Sequence, residues 1–433
     1  MQSFLGKSSG KGALSLWTHN LNSKEFIARY QGSKSYSGPA IKIGAGVMFY
    51  DAYAFANSRG YRFVGGTCLT VGMAGGYTQG GGHSPLMTEH GMAAENVLEW
   101  EVVTPSGEHV VATPTNRHKD LFWALSGGGG GTYGVVVSMT TKLHRDGPIG
   151  GVQFNVPNAG FADNTTFWEG VVQKFLDLAP ASVNTGTHML VIISRDSLFL
   201  YDATGIGKTS QQVAAELKPF TDHLDTQSIP YMLATKDSAT LYEHVDHFHG
   251  PFPYGNLWVT QVTGGTFLPK SSLQTTQSTK RLTDAFRLVT ESGKFVVGMT
   301  LFNLAATPGG RASHRKGQTA TNPAWTDSVA SLLLISPWDY NVPRSEMLSR
   351  QRELTEFVVP TVRAAVPDVE VTGSYLNEAN FQEPDWQRQF YGSHYGRLSG
   401  IKGQYDPNGL LYARTAVGSE KWAEDGAGRL CRV

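Results

Sequence analysis

Cysteine is nearly absent from this sequence: there are two in 433 residues, Cys68 and Cys431. Two thiols so far apart build no disulfide framework, which excludes a small stapled scaffold; they could pair with each other or both be buried thiols, the commoner state. Excess charge of either sign is also missing. Lys plus Arg and Asp plus Glu are 36 each, with no basic run. That argues against nucleic acid or an anionic membrane as partner, since both need clustered positive charge. No apolar run reaches the roughly 18 residues of a membrane span, and the amino end, MQSFLGKSSG, lacks the apolar core of a secretory signal. One sequon, Asn164-Thr165-Thr166, permits glycosylation in a secreted protein; the compartment stays open.

Glycine, in contrast, is abundant, at 50 residues, well above the roughly 7% of average usage. The excess concentrates in residues 64–84, VGGTCLTVGMAGGYTQGGGHS, where eight of 21 are glycine and Cys68 stands among them. Glycine inside a regular element costs roughly 0.5–1 kcal/mol relative to alanine. The backbone here must therefore do something that side chains would obstruct. A flat ring approached closely and a diphosphate needing N–H donors would both account for it, and so would a simple glycine-rich turn around a buried thiol.

Around this stretch the chain reads as mixed α and β. Residues 41–43 look like a strand, followed by a helix with Val47, Tyr50, Ala54 and Ala56 near one face and a strand over 61–64. That is a crossover pattern, which predicts two parallel strands in one sheet. NVLEWEVVTPSGEHVVATP is a hairpin signature, and DLFWALSGGGGGTYGVVVSMTTKLH gives a helix, a five-glycine turn (127–131) and a strand. Past residues 147–151 the pattern predicts an α+β unit on an antiparallel sheet. It comprises two strands turning at Arg195-Asp196-Ser197, a helix capped by Thr209 or Ser210, three more strands, and helices near 274–291 and 346–365. Residues 306–323 read as a loop over that sheet, and the chain is helical again from Pro384 to the Asp406-Pro407-Asn408-Gly409 turn.

Three motifs lead nowhere. Gly205-Ile206-Gly207-Lys208-Thr209 resembles the end of a phosphate-binding loop, but Asp202 stands where its first glycine belongs. The histidines of Glu243-His244-Val245-Asp246-His247-Phe248-His249 lack the spacing that closes a metal site, so no metal is expected. No Gly-x-Ser-x-Gly elbow is present, which weakens a hydrolase reading.

The order of residues in Gly66-Thr67-Cys68-Leu69-Thr70-Val71-Gly72 and Gly75-Gly76-Tyr77-Thr78-Gln79-Gly80-Gly81-Gly82-His83-Ser84 resembles the flavin loop of the berberine bridge enzyme-like FAD-linked oxidases, of the vanillyl-alcohol oxidase superfamily. The resemblance continues through 90–99 (HGMAAENVLE), 123–136, Tyr375-Leu376-Asn377-Glu378-Ala379 and a closing segment with Phe390-Tyr391-Gly392, Lys402, Tyr405-Asp406-Pro407 and Gly428-Arg429-Leu430-Cys431. Fungal oxidases of secondary metabolism are the most similar branch.

The resemblance implies an α+β architecture: a PCMH-type FAD-binding domain plus a substrate domain whose antiparallel sheet is covered by helices. Residues 1–146 would be the main part of the FAD domain, 147–383 the substrate domain, and 384–433 the return to the FAD domain. It implies FAD as cofactor, with Cys68 where the family forms a thioether to the flavin ring. Ser9, Thr70, Val71, Gly72, Gly75, Gly76, Gln79, Gly80, Gly81 and His83 would line the cofactor, with Gly91, Met92, Gly134 and Val135 adding main-chain contacts. Tyr375 and Asn377 would approach from the substrate side, Tyr375 being a weak candidate for the base. Cys431 would be a structural thiol. The implied chemistry is hydride transfer from a small metabolite to flavin N5, with O2 as acceptor.

The pattern is departed from at the amino end, where family members carry earlier strands and a Gly-His-Asp loop; here Gln2 stands where that histidine belongs, and only Ser8, Ser9 and Gly10 are left to contribute. Glu95 also replaces the aspartate usual before Asn96. Missing strands would bare a sheet edge, and three explanations are open: an incomplete gene model, a second chain supplying the missing half, or a protein that no longer uses flavin redox. The competing functions are accordingly a non-redox cyclase or pericyclase reusing the fold, and a non-catalytic partner subunit.

Overall fold

Alternating apolar residues organise the chain into two antiparallel sheets. The computed structural model describes residues 11–32, 36–158, 165–255, 261–304, 317–366 and 373–433. Gln2, Ser9 and the rest of 1–10, Asn164 of the sequon and most of the 306–323 loop lie outside the described residues.

The amino-terminal third supplies β1 (Lys24–Ile27), β2 (Ala40–Gly44), β3 (Tyr61–Arg62), β4 (Val97–Val103), β5 (His109–Ala112), β6 (Val135–Lys142) and β7 (His144–Arg145). Five of these form a sheet in the order β1-β2-β6-β4-β5, while β3 and β7 make a separate ribbon. The expected hairpin is β4–β5, closed with Val103 opposite His109, and Gly107 takes φ +84° in its turn.

The expected parallel crossover does not form. Every strand pairing of β2 and β3 among the described residues is antiparallel: β2 with β1 and β6, β3 with β7. The chain leaves the extended state after Arg62 because Phe63 turns inward, stacking at 4.8 Å on Tyr53. The intervening helix, Phe49–Asn57, buries Phe49, Ala52, Tyr53 and Ala56. The expected face is borne out in part: Val47 and Ala56 are buried, whereas Tyr50 is only partly buried and Ala54 is exposed.

The second sheet has β8 (Ile149–Pro157), β9 (His188–Ile193), β10 (Ser197–Ile206), β11 (Met232–Ser238), β12 (Gln261–Pro269), β13 (Val296–Leu301) and β14 (Ser328–Pro337), in the order β11-β8-β10-β9-β13-β14-β12. Its apolar face, including Phe154, Val191, Leu200, Met299 and Leu332, forms one core with Phe175, Phe220 and Phe286. Those three rings come from the covering helices Lys174–Asn184, Ser210–Thr226 and Thr276–Thr290. Thr209 is the cap of the second of these, its side chain accepting from the Gln212 N–H. The phosphate-loop look-alike is a turn: Gly207 has φ +69° and Lys208 pairs with Glu216 at 2.6 Å.

The carboxy-terminal segment folds back onto the first half. Its helix Tyr395–Tyr405 presents Lys402, whose buried ammonium donates to Asp406 Oδ2 at 2.6 Å and to the carbonyls of Thr132 and Leu411, each at 2.7 Å. One cation thereby ties the last helix to the five-glycine turn. Beyond it, β15 (Trp422–Glu424) and β16 (Leu430–Arg432) form a hairpin. Neither cysteine is in a disulfide, and Cys431 is exposed on β16, not the buried structural thiol expected. A three-residue strand at the surface has no second layer to cover it.

Removing one partner of a buried ion pair strands the other charge. Lys402→Met should therefore cost about 3–5 kcal/mol, read as a lower urea midpoint at pH 7. An unchanged midpoint would mean that this clamp does not hold the two ends together.

Candidate active site

The glycine-rich segment is strapped to the helix beside it by backbone. The N–H groups of Phe49 and Tyr50 donate to the carbonyls of Val71 and Leu69, both at 3.0 Å, and Met73 N–H returns to Val47 O at 3.0 Å. Side chains reinforce the strap. Tyr53 donates to Gly66 O at 3.0 Å and Tyr77 to His83 O at 2.6 Å, while Phe49 meets Tyr77 edge-on at 4.8 Å. Gly75, at φ −82° and ψ −148°, kinks the turn of helix over Met73–Tyr77.

Most of this segment is buried. Between residues 64 and 84 only Thr67, Cys68, Thr70, Gly72, Gly75 and His83 keep partial access. Five of those six are positions expected to line the cofactor. At Gly72 an added Cβ would meet nothing nearer than Ala45 O at 3.7 Å, so this part of the backbone is open to close approach. These residues fit a flat ring laid along the thiol-bearing edge.

Other glycines answer to the protein itself. A Cβ on Gly80 would lie 2.1 Å from Asn377 Oδ1, and one on Gly127 would lie 2.4 Å from the Thr321 nitrogen. Gly81, at φ +118°, packs against Thr321 and Met92. Gly134 abuts Val102, and with Val135 it stands at the head of β6 beside β4. Gly91, at φ +76°, and Met92 are brought alongside, because Ala93 and Ala94 donate to Gly82 O and Gly81 O at 2.9 Å. Glu95 accepts from Met92 N–H at 2.8 Å, so it caps that turn locally. The Gln79 carbonyl accepts from Gly127 and Gly129 of the five-glycine turn, at 3.0 and 2.8 Å, and its buried side-chain Oε1 has no protein partner.

From the far end of the chain, Leu376–Glu378 closes over the loop. Asn377 Nδ2 donates to Tyr77 O at 3.1 Å and to the Tyr375 hydroxyl at 2.8 Å. Glu378 Oε1 meets His83 Nε2 at 3.0 Å, and the Tyr375 ring lies edge-on to His83 at 5.3 Å and to Trp325 at 5.3 Å. Burial, and then the Glu378 charge, push the Tyr375 phenol well above its ordinary pKa, outweighing hydrogen bonds from Asn377 and the backbone of Gly82 and His83. Tyr375 is thus a protonated hydrogen-bonding group at neutral pH. Tyr77 is pushed up likewise, by burial and then by Tyr375, Tyr53, Glu378 and Cys68, so these groups share one neighbourhood.

The second sheet presents its other face to the same region. Gln153, Leu190, Ile192, Phe199, Tyr201 and Leu333 alternate with the core residues of their strands and are partly exposed. This face is the part of the seven-stranded sheet that the core helices leave partly accessible. One end of that face is covered by the helix Leu241–His249. There His244 Nε2 meets Thr204 Oγ1 at 2.9 Å and His249 Nε2 meets Asp202 Oδ2 at 2.5 Å, which is where two of the cluster's histidines are engaged. After this helix, a Cβ on Gly255 would come within 3.0 Å of Leu69, next to Cys68. His188, Asp202, Thr321, Trp325 and Glu378 were missed as site residues from the sequence. An aspartate inside the apolar strand LFLYDATGI was the readable signal.

Two model families match: "FAD binding domain" over residues 2–113 and "Berberine and berberine like" over 374–418. Among curated relatives, the VAO-type flavoprotein oxidase VAO615 of Thermothelomyces thermophilus is 44% identical over 99% of this chain and 72% of its own. The bifunctional decalin synthase calF of Penicillium decumbens is 40% identical over 99% and 73%. The crystal structure of the VAO-type flavoprotein MtVAO615 from Myceliophthora thermophila C1 superposes with TM-score 0.90 at 43% identity, covering 100% of this chain and 76% of that one. In these relatives the matching region is one polypeptide, so none points to a second chain.

Two measurements test this geometry. Gly80→Ala should force Asn377 off Tyr77 O and Tyr375 and lower stability by about 2–3 kcal/mol, two hydrogen bonds with their partners left buried. In an Asn377→Ala background the same change should cost under half as much; equal costs would mean the two residues do not touch. Burial also holds His188 and His244 down to about 4, with Asp202 opposing and neighbouring histidines adding. Both rings are neutral in the fold and take up a proton on unfolding, near about 6.5. Stability should thus be complete above that pH and fall by on the order of 1 kcal/mol per ring for each pH unit below it, down to the folded values. Urea titrations at pH 7, 5.5 and 4.5 read this, and a flat profile would mean that the rings are solvated.

Proposed function

The chain belongs to the berberine-like, VAO-type FAD-linked oxidoreductases, and from that premise we propose that it is an oxidase of a small secondary metabolite. FAD, when bound, supplies the two-electron acceptor for a substrate hydride, with O2 as the final acceptor. In this reading residues 1–146 and 384–433 hold the cofactor and 147–383 supply the substrate wall.

The observation that supports it is the set of accessible positions on an otherwise buried segment: Cys68, Thr70, Gly72, Gly75 and His83. Cys68 would carry the cofactor through its sulfur, and the open backbone at Gly72 would let a flat ring lie close. Asn377 and Glu378 fix Tyr375 and His83 at the edge of that surface. Their role is to orient groups and exclude water, since hydride transfer needs reacting atoms held about 3–3.5 Å apart.

A second reading, a non-redox cyclase guiding ring closure by shape, is favoured by one relative's name, the bifunctional decalin synthase. Turnover in the absence of O2 with no bleaching of the flavin would select it; an O2 requirement would exclude it.

Denatured, desalted protein should keep a yellow chromophore, and Cys68→Ala should release at least about nine-tenths of it on denaturation, since the thioether is the only link expected to survive unfolding. A fully folded protein without colour would end the oxidase proposal.

A further inference from the structure

Between the edge strand β12, the helix Val359–Ala364 and the segment 380–389 lies a cavity of about 260 Å³. Phe267, Val359, Pro360 and Val366 give it apolar walls, and Arg363 and Gln389 stand among its polar lining. No residue of the glycine-rich loop lines it, and neither do Tyr375 and Asn377, so it is separate from the candidate active site. Pockets for drug-sized ligands start near 300 Å³. This one has room for a small organic molecule and not for a dinucleotide.

Most of the polar groups around this cavity have partners. Arg363 donates from Nη1 and Nη2 to the two Glu383 oxygens at 2.7 and 2.9 Å, and from Nη2 to Gly265 O at 3.1 Å. Asn380 accepts from Gln351 Nε2 and donates to Thr355 Oγ1, both at 2.8 Å. Two buried atoms of the lining residues are left over: Arg363 Nε, which can only donate, and Gln389 Oε1, which can only accept. Gln389 is 3% exposed, and its backbone is pinned on both sides. Its N–H donates to Asp385 O at 2.9 Å, while its carbonyl accepts from Ser374 N–H and Asn322 Nδ2, both at 2.8 Å. The residue cannot move as a whole to find a partner elsewhere. Buried polar groups are hydrogen-bonded with few exceptions, and here two exceptions of opposite kind share one cavity.

The leftover atoms define the ligand. Arg363 and Glu383 neutralise each other, and at the rim so do Arg388 and Asp385, 2.6 Å apart, so no unbalanced charge awaits an ion. The ligand must donate to Gln389 Oε1 and accept from Arg363 Nε. A carboxamide or lactam does both, with one atom for each protein element; a carboxylate or ester cannot donate. We propose that this cavity is a second ligand site, taking a small neutral compound with an apolar body and a carboxamide or lactam group. Gln389 and Arg363 recognise that group, and Glu383 is a positioning residue that holds Arg363. The inference does not depend on the flavin chemistry.

The probes are benzamide, methyl benzoate and benzoate, titrated calorimetrically at pH 7 into the protein as purified. Benzamide should bind at least about ten-fold more tightly than either of the others, because the ester and the carboxylate leave Gln389 Oε1 without a donor. Gln389→Leu should bring the benzamide-to-ester ratio below about three-fold while ester binding holds, since the apolar walls are untouched. Hydrogen exchange locates the site: benzamide should slow amide exchange at least about three-fold in residues 359–366 and 380–391, and not in 64–84. Absence of benzamide binding, or equal binding of all three probes, would overturn the proposal and leave a hydrated cavity. A preference that survives in folded Gln389→Leu would overturn it, as would protection confined to 64–84. Should that variant not fold, the exchange map of the wild type decides.

Discussion

Asn377 has a single side-chain amide, and with it joins its own neighbour Tyr375 to the Tyr77 carbonyl, 300 residues earlier in the sequence. Its nitrogen bonds the Tyr77 carbonyl and the Tyr375 hydroxyl, while its oxygen lies where any side chain on Gly80 would be. Everything on the cofactor side depends on the loop keeping its kinked path, and everything on the substrate side depends on Tyr375 and Glu378 closing over it. A hydrogen bond that is short-reaching and directional sets that closure to a fraction of an ångström. A hydrophobic contact would not, because it has no preferred direction.

Much of the architecture was legible because it rests on local chemistry. The β4–β5 hairpin, the Thr209 cap and the two strands turning at Arg195 each follow from spacing within about ten residues. The parallel crossover was illegible for the opposite reason. Which strand pairs with β2 is decided by β6, almost a hundred residues later, and by Phe63 leaving the strand for the aromatic cluster around Tyr53. The helix over Phe49–Asn57 shows the same limit on a small scale: its apolar residues lie on more than one face, and only tertiary packing picks Phe49 and Tyr53 over Tyr50 and Ala54.

At the site, the glycine run was legible as a demand for backbone access but not as two separate demands. Gly72 keeps open space, whereas Gly80 and Gly127 are small because Asn377 and Thr321 press on them. Composition cannot separate these cases, since both read as the letter G. The pattern of partial access does separate them, and it requires the fold. His188 was invisible on similar grounds: one histidine heading an apolar strand reads as core until its neighbours on the open face are known.

That histidine poses the energetic question the fold has to answer. Each buried polar atom without a partner costs about 1–3 kcal/mol, and four sit together at His188, Asp202 and His244. A domain has a net stability of only about 5–15 kcal/mol, so such a cluster would consume much of it if nothing ever occupied the space. Isolated orphans can be absorbed as strain. A concentration of them where the helix Leu241–His249 covers one end of the sheet face is a cost that the packing around it has to offset.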